Sequence, residues 1–192
     1  MKLAMPILLF LSAAVSSSSF ALINGTVQVG QRSAKLSQSG SSSDLSGTAL
    51  KAGVYLDPLP LPVAFGVGIT NVTTDKTDLY PAGQGLEVGL ELKAWIPFVP
   101  VVTPYGIVSY IPYGAIAFED GLNKSAYEVS GTSISLGVTY PIIPLIAVNL
   151  QFTMGTTTLS ADNIEVNGVK QPNTPNVDAE FTDILLGVEV GI

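Results

Sequence analysis

The sequence predicts an all-β fold, namely an eight-stranded antiparallel up-and-down β-barrel that crosses a membrane. Three observations lead to this prediction. Apolar residues alternate with small or polar residues along most of the chain, and a period of two is that of a strand whose two faces meet different surroundings. Proline-rich turns at Pro58, Pro97 and Pro141 alternate with longer polar loops. The last strand is apolar on one face up to the final residue.

Residues 1–21 have the features of a secretory signal peptide. Lys2 precedes an apolar run from Leu3 to Val15, and Ser19-Phe20-Ala21 places small residues at both positions that signal peptidase recognises. The apolar run is too short to span a bilayer as a helix. We expect cleavage after Ala21, which leaves residues 22–192 as one barrel domain.

Four strands are predicted in the first half of the mature chain. The first alternates Val27 and Val29 with Thr26, Gln28, Gly30 and Arg32. The next three cover residues 47–56, 63–70 and 86–93, and they are separated by a proline turn at 57–62 and a polar loop at 73–84. A Ser/Gly-rich loop is expected at 37–44. In the fourth strand Leu86, Val88, Leu90 and Leu92 oppose Glu87, Gly89, Glu91 and Lys93.

Four more strands complete the barrel at 105–118, 131–140, 146–158 and 181–192. The fifth strand is apolar on both faces, so its orientation is left open. Proline turns at 95–104 and 141–144 alternate with polar loops at 119–125 and 160–180. Asn167-Gly168 predicts a two-residue hairpin inside the last loop. An even number of strands places both chain ends beside the short turns, on the periplasmic side.

A transmembrane helix is the alternative for the uncharged run from Pro97 to Phe118, which is long enough to cross a bilayer. Pro100, Pro104 and Pro112 lie inside it. Each internal proline removes a helix hydrogen bond and costs about 3 kcal/mol. The run is therefore predicted to form strands around a turn.

The composition excludes several classes of function. The chain has no cysteine and no histidine, so disulfides, histidine-dependent triads and the usual zinc motifs are absent. A net charge of -7 opposes binding to nucleic acid. The acidic loop at 160–180 lacks the closing carboxylate of a calcium loop, because Thr174 stands at that position. No catalytic residue, metal ligand or cofactor is predicted.

The closing strand carries Gly187, Val190 and Ile192 at the spacing of a terminal assembly signal. With these residues the chain resembles the small eight-stranded outer-membrane β-barrel family of Gram-negative bacteria, of the OmpA, OmpX and OmpW type. That family usually ends in Phe or Trp, from which Ile192 departs. The other interpretation is the last strand of a β-sandwich. The resemblance implies an outer-membrane location, contact with lipid and handling by the barrel-assembly machinery. Enzymes of this family use histidine, so a non-enzymatic protein is expected.

Five aromatic residues lie near the proline turns, where amphipathic rings suit a membrane interface. We expect a periplasmic-side girdle of Tyr55, Trp95, Phe98, Tyr105 and Tyr140. Ordinary core packing is the alternative for these side chains. The apolar character of the turns themselves is unusual, because periplasmic turns normally face water.

If the aliphatic faces contact lipid, the opposite faces bring seven charged residues inside the barrel: Arg32, Lys51, Glu87, Glu91, Lys93, Asp183 and Glu189. An eight-stranded barrel is just wide enough for side chains to fill it. Unpaired buried charges are costly, so these groups are expected to pair and to plug the lumen. The many interior Gly, Ser and Thr residues leave a looser lumen as the alternative.

Three functions follow from these expectations. The first is an integral outer-membrane β-barrel with a structural or surface-interaction role through its extracellular loops, whose partner the sequence does not identify. The second is a narrow, porin-like conduit for small or apolar molecules. The third is a soluble, lipocalin-like ligand carrier, in which the aliphatic faces would point inward and Glu87, Glu91 and Lys93 outward.

Overall fold

The computed structural model describes residues 23–38, 41–58, 61–76, 81–97, 99, 101–120, 123–166, 169–170 and 176–191. The predicted signal peptide lies outside the described residues and stays a prediction. The described strands are β1 (Ile23–Gln38), β2 (Ser41–Leu56), β3 (Val63–Thr74), β4 (Gly83–Trp95), β5 (Thr103–Asp120), β6 (Asn123–Ile143), β7 (Ile146–Val166), β8 (Val169–Lys170) and β9 (Val177–Gly191). None of the described residues belongs to a helix that is long and apolar enough to cross a membrane.

The strands form one closed antiparallel ring. Each strand from β1 to β7 pairs with the next one in sequence, and β9 lies between β7 and β1. Among the described residues, the short β8 pairs with the end of β7 alone, and Val166 is opposite Val169 in register. Eight strands therefore make the barrel wall, and the predicted up-and-down barrel is confirmed. We call the end with the β2–β3, β4–β5 and β6–β7 connections the turn end, and the opposite end the loop end.

The strands extend further toward the loop end than predicted. β1 and β2 run to Gln38 and Ser41, and β5 and β6 run to Asp120 and Asn123. The predictions of loops at 37–44 and 119–125 are therefore wrong. The expectation that every loop-end connection is longer than the turns is wrong as well. Leu36 and Leu45 continue the inward face of these strands and are buried. The Ser and Gly content concealed this alternation.

The orientation of the fifth strand is resolved by a β-bulge. Tyr105 and Ile107 point inward near the turn end, whereas Gly114 and Phe118 point inward near the loop end. The pairing of β5 with β6 shifts by one residue between Ile111 and Ala115. One extra residue exchanges the two faces of a strand. The strand therefore has apolar residues on both faces in the sequence although its pattern is regular in the fold.

The outer face of the turn half carries an aliphatic band. On β2 it extends from Leu50 to Leu56, and on β3 from Phe65 to Ile69, with these outward side chains about half exposed. Toward the loop end the outward residues become polar on six strands, beginning at Gln31, Thr48, Asn71, Gln84, Thr132 and Thr156. The exposed charges of the described residues lie on the loop side of this border.

Inside the barrel the order is reversed: the apolar side chains lie at the loop end and the polar and charged ones lie toward the turn end. At the loop end lies an apolar layer of Leu36, Leu45, Phe118, Val129, Leu159, Val177 and Ala179. Below it lies an ionic layer of Arg32, Lys51, Glu87, Glu91 and Asp183. A third, turn-end layer contains Tyr55, Tyr105, Lys93, Glu189, Gln28, Asn149 and Gln151. The filled lumen is the candidate site that this fold creates.

Candidate functional site

Strand β4 is the centre of the charged lumen. Glu87, Glu91 and Lys93 occupy inward positions of this strand, because residues two or four apart share a face. Each of the three forms an ion pair with a different strand: Glu87 with β1, Glu91 with β2 and Lys93 with β9. β4 is adjacent to none of these three strands in the sheet. All three pairs therefore connect strands that are not neighbours, through the lumen.

Arg32 bridges two carboxylates. Its Nε lies 2.7 Å from Asp183 Oδ1 and its Nη2 lies 2.9 Å from Asp183 Oδ2. On the other side its Nη1 and Nη2 donate to Glu87 Oε1 and Oε2 at 2.6 and 3.0 Å. Phe181 covers the guanidinium, with 4.2 Å between the Arg32 Cζ and the ring centroid. Two bidentate pairs from one planar guanidinium form a geometrically specific cross-link.

Lys51 and Glu91 make the second cross-link of the ionic layer. The distance from Lys51 Nζ to Glu91 Oε1 is 2.8 Å, and both side chains are more than nine-tenths buried. The hydroxyl of Tyr55 donates to the other oxygen of Glu91. The carboxylate thus has a charged partner and a neutral donor, which offsets the loss of water around it.

Lys93 occupies a site of its own in the turn-end layer. Its Nζ lies 2.9 Å from both carboxylate oxygens of Glu189. The same ammonium lies 5.3 Å from the ring centroid of Tyr55 and 4.7 Å from that of Tyr105. Both distances are within the range of a cation–π contact. Two aromatic faces and one carboxylate therefore hold this cation near the turn end.

On the wall formed by β1, β6 and β7, neutral side chains form a hydrogen-bonded network inside the barrel. Gln28 Nε2 donates to Asn149 Oδ1 at 2.9 Å and to Gln151 Oε1 at 3.3 Å. Gln151 Nε2 donates to the hydroxyls of Ser135 and Thr153 at 3.1 and 2.9 Å. All of these side chains are buried. A connected network of this kind rigidifies the wall and leaves few polar groups unsatisfied.

Aromatic rings fill the space that interior glycines leave. In four cross-strand pairs an inward ring lies over the glycine directly opposite it, so that a β-carbon on the glycine would collide with the ring. These pairs are Tyr55 with Gly66, Phe118 with Gly83, Tyr105 with Gly137 and Phe181 with Gly155. These four interior glycines therefore make room for rings.

Two small gaps are present in the described part of the lumen. One of about 40 Å³ lies between the apolar layer and Arg32. The other, of about 20 Å³, lies between the Arg32 and Lys51 cross-links. A single water needs a cavity volume of roughly 10–15 Å³. Each of these two gaps has room for at most a few waters and is too small for a solute.

The seven charged residues predicted for the lumen all lie inside the barrel and pair with one another. The sequence did not reveal that Gln28, Asn149 and Gln151 join them, nor that an apolar layer covers them toward the loops. Alternation was the available signal, since Leu36 and Leu45 share the inward face with Arg32 and Lys51.

The predicted aromatic girdle is wrong for Tyr55 and Tyr105. Their rings lie inside the barrel and are 2% and 6% exposed. Tyr55 is four residues from Lys51 on one strand, so the alternation that turns Lys51 inward also turns Tyr55 inward. Trp95 is half-buried and packs against these rings. Tyr140 is exposed on the outer face, and Phe98 lies outside the described residues.

Two residues of the closing-strand signal lie on opposite faces of β9. Gly187 faces the lumen between Gln28 of β1 and Asn149 of β7. A β-carbon at this position would lie 2.6 Å from Gln28 Cγ. Val190 lies on the outer aliphatic band, and Ile192 lies outside the described residues. The glycine therefore fits the crowded lumen.

The arrangement of the lumen supports ionic cross-linking between strands. Within the described residues no group of three or more carboxylates is placed to hold a metal ion. Among the described residues, Asp57, which follows β2 at the turn end, is the one buried carboxylate outside the strands.

Comparison with known proteins gives structural matches only. No protein-family model and no curated protein sequence matches this chain. The crystal structure of Neisserial surface protein A (NspA) is similar, with a TM-score of 0.63, 15% identity, and coverage of 88% of this chain and 97% of that one. The outer membrane protein OprG from Pseudomonas aeruginosa is similar with a TM-score of 0.52, 13% identity, and coverage of 90% and 97%. The chain has the fold of the small outer-membrane β-barrels.

Proposed function

We propose that the protein is an integral outer-membrane β-barrel whose lumen is closed and whose loop end carries its function. The observation that supports this most directly is the distribution of polarity in the turn half of the barrel. Exposed aliphatic side chains cover the outside, while paired charges and amides fill the inside. A lipid environment stabilises this arrangement, because each face then contacts a medium of its own polarity.

The soluble-carrier alternative requires the reverse arrangement. A carrier of apolar ligands needs an apolar cavity and a wet outer surface. Here Glu91 and Lys93 are 6% and 7% exposed inside the barrel, whereas Leu136 on the outside is 66% exposed. A soluble protein with that surface would aggregate.

The closed lumen argues for a surface role over a conduit. Three ion-paired cross-links and four ring–glycine pairs occupy the cross-section, and the described gaps measure only about 40 and 20 Å³. The strands also continue well beyond the aliphatic band at the loop end, where β6 and β7 are each 21 residues long. We propose that this projecting rim and its loops act as a structural or binding surface, without enzymatic activity.

Location is tested by fractionation. The protein should sediment with the outer membrane, and its unboiled form in detergent should migrate differently from the boiled form, as closed barrels do. Recovery of folded protein from the soluble periplasm would contradict the membrane proposal.

The closed lumen is tested by conductance across a planar bilayer. The unaltered barrel should show no steady current, and the double substitution Lys51→Met and Lys93→Met should raise conductance because it removes two of the cross-links. The matched control is Lys35→Met together with Lys76→Met, since both lysines are exposed at the loop end. Steady current through the unaltered barrel would favour the conduit instead.

A further inference from the structure

The turn end of the barrel has an outer surface that differs from a wet turn region. Six exposed apolar residues lie in the three connections or directly beside them, and we call them the turn-end residues: Leu61, Ile96, Val101, Ile142, Ile143 and Leu145. In the complete sequence the three stretches 57–63, 95–103 and 141–146 contain one charged residue, Asp57, and its side chain is buried.

The β6–β7 hairpin shows the feature most clearly. β5 stops pairing with β6 at Thr139, and β6 continues for four residues beyond it, to Ile143. Every residue from 140 to 146 is exposed. This tip, Tyr-Pro-Ile-Ile-Pro-Leu-Ile, is therefore exposed on both of its faces and almost wholly apolar. In water a two-sided apolar tip is an aggregation site.

The height of the aliphatic band supplies a second, independent observation. From Leu50 to Leu56 on β2 and from Ile184 to Val190 on β9, the band covers seven residues of each strand. At about 3.3 Å per residue and a tilt of about 40°, seven residues rise only about 18 Å. Outer-membrane barrels present an apolar band of about 25 Å. The strands alone leave about 7 Å of apolar thickness unfilled at this part of the wall.

Backbone strain at the β4–β5 connection points the same way. Val101 has a φ of 80° and is 70% exposed. A β-branched residue is strained in this region, where glycine is the residue normally found. The chain thus keeps an exposed apolar side chain at a turn position that favours glycine. Packing inside the protein does not explain this choice, because the side chain is exposed.

From these observations we infer that the turn-end residues are seated in lipid and complete the membrane-spanning surface of the barrel. This inference rests on the proposed membrane location and adds a depth to it. The aliphatic band continues without a charged interruption into the turns, so acyl chains that contact the band also contact the tips. In this arrangement the turn end lies within one leaflet of the bilayer, and the loop half projects from the opposite surface of the membrane.

The test measures the depth of single tryptophans in vesicles. Trp95→Phe removes the single native tryptophan, and Leu145→Trp or Ile142→Trp then places a probe on the tip. Leu136→Trp, in the middle of the band, is the positive control, and Ser130→Trp, outward on the loop side of β6, is the aqueous control. Each variant is folded into phosphatidylcholine vesicles with or without acyl-chain bromines, and folding is checked by the shift in migration on boiling.

The tip probes should lose most of their fluorescence to brominated lipid, most strongly with bromines near the carboxyl end of the chain, and should resist acrylamide. The band probe should be quenched most by deeper bromines, and the aqueous control only by acrylamide. If the band probe is quenched while both tip probes respond to acrylamide alone, the turns lie in water and this inference fails. If neither quencher reaches the tip, a protein surface covers it and the inference also fails. An unquenched band probe would overturn the membrane proposal itself.

Discussion

The two halves of the barrel are built with opposite polarity. In the turn half the outside is aliphatic and the inside holds paired charges and amides, whereas in the loop half the outside is charged and the inside is an apolar layer. On β1 the change occurs within a few residues: inward residues pass from Arg32 to Leu36, and outward residues from Val29 to Lys35. The same wall thus has its apolar face on the outside in the turn half and on the inside in the loop half.

This difference shows that the strand pattern alone does not say which face is the core. Alternation with a period of two fixes that the faces differ, and the surrounding medium decides which one is buried. In lipid the apolar face turns outward and charges must find partners inside. In water the apolar face turns inward and drives packing as in any globular protein. Four predictions test this comparison, beginning with the largest expected effect.

Arg32→Met should have the largest effect, because it leaves both Glu87 and Asp183 buried without their cation. Breaking a buried pair from one side costs about 3–5 kcal/mol, and two carboxylates place this variant near the upper value. The free energy of unfolding is measured by urea titration of the barrel in vesicles. Adding Glu87→Gln and Asp183→Asn should restore much of the loss. A triple variant no more stable than Arg32→Met would show that the charges are not the cause.

Phe118→Ala tests the apolar layer of the loop half. The ring is 3% exposed, packs edge-on with Tyr127 at 6.2 Å, and covers Gly83. Truncating a buried phenylalanine costs about 4 kcal/mol through lost burial and the cavity that remains. The control is Ser130→Ala on the outer face of β6, beside the buried Val129. Similar small losses for both variants would mean that the loop half has no core of the soluble kind.

Leu90→Arg tests the outer face of the turn half. Leu90 is 53% exposed in the middle of the aliphatic band of β4, where an arginine would lie in the hydrocarbon core. The expected loss is about 3 kcal/mol in vesicles. Gln84→Arg is the matched control, since it lies on the same face of the same strand, six residues toward the loop end, and should change stability by less than about 1 kcal/mol. Equal effects would show that both positions contact the same medium.

The sequence predicted which strand face each charged residue occupies better than it predicted which residue each one pairs with. The seven lumen charges could be assigned from the sequence because each lies on the face opposite the aliphatic residues of its own strand. That Glu87 meets Arg32 and that Lys93 meets Glu189 depends on which walls approach across the lumen, and no local pattern carries that information. The bulge in β5 and the ring–glycine pairs likewise depend on the register between strands.

The extent of the strands at the loop end was missed for a different reason. Predicted loops were recognised by serine and glycine, which are turn-forming residues in water. In the loop half of this barrel Ser37 and Ser42 are exposed on the outer face of regular strands, with Leu36 and Leu45 on the other face. Composition and periodicity gave opposite answers there, and periodicity was the correct guide.

Lys35→Met is expected to have the smallest effect, and it isolates the role of surroundings most directly. Lys35 lies three residues from Arg32 on β1 and, like it, has two carboxylates as neighbours: Asp44 of β2 and Glu180 of β9 are opposite it in register. The three side chains are exposed on the outer face, where water solvates each charge and salt screens their attraction. The loss should be below about 1 kcal/mol and should vanish at high salt, whereas the loss from Arg32→Met should persist there. Parallel urea titrations at low and high salt measure both. A large, salt-independent loss for Lys35→Met would mean that the outer face of the loop half is not in water, and the polarity switch between the two halves would then be lost.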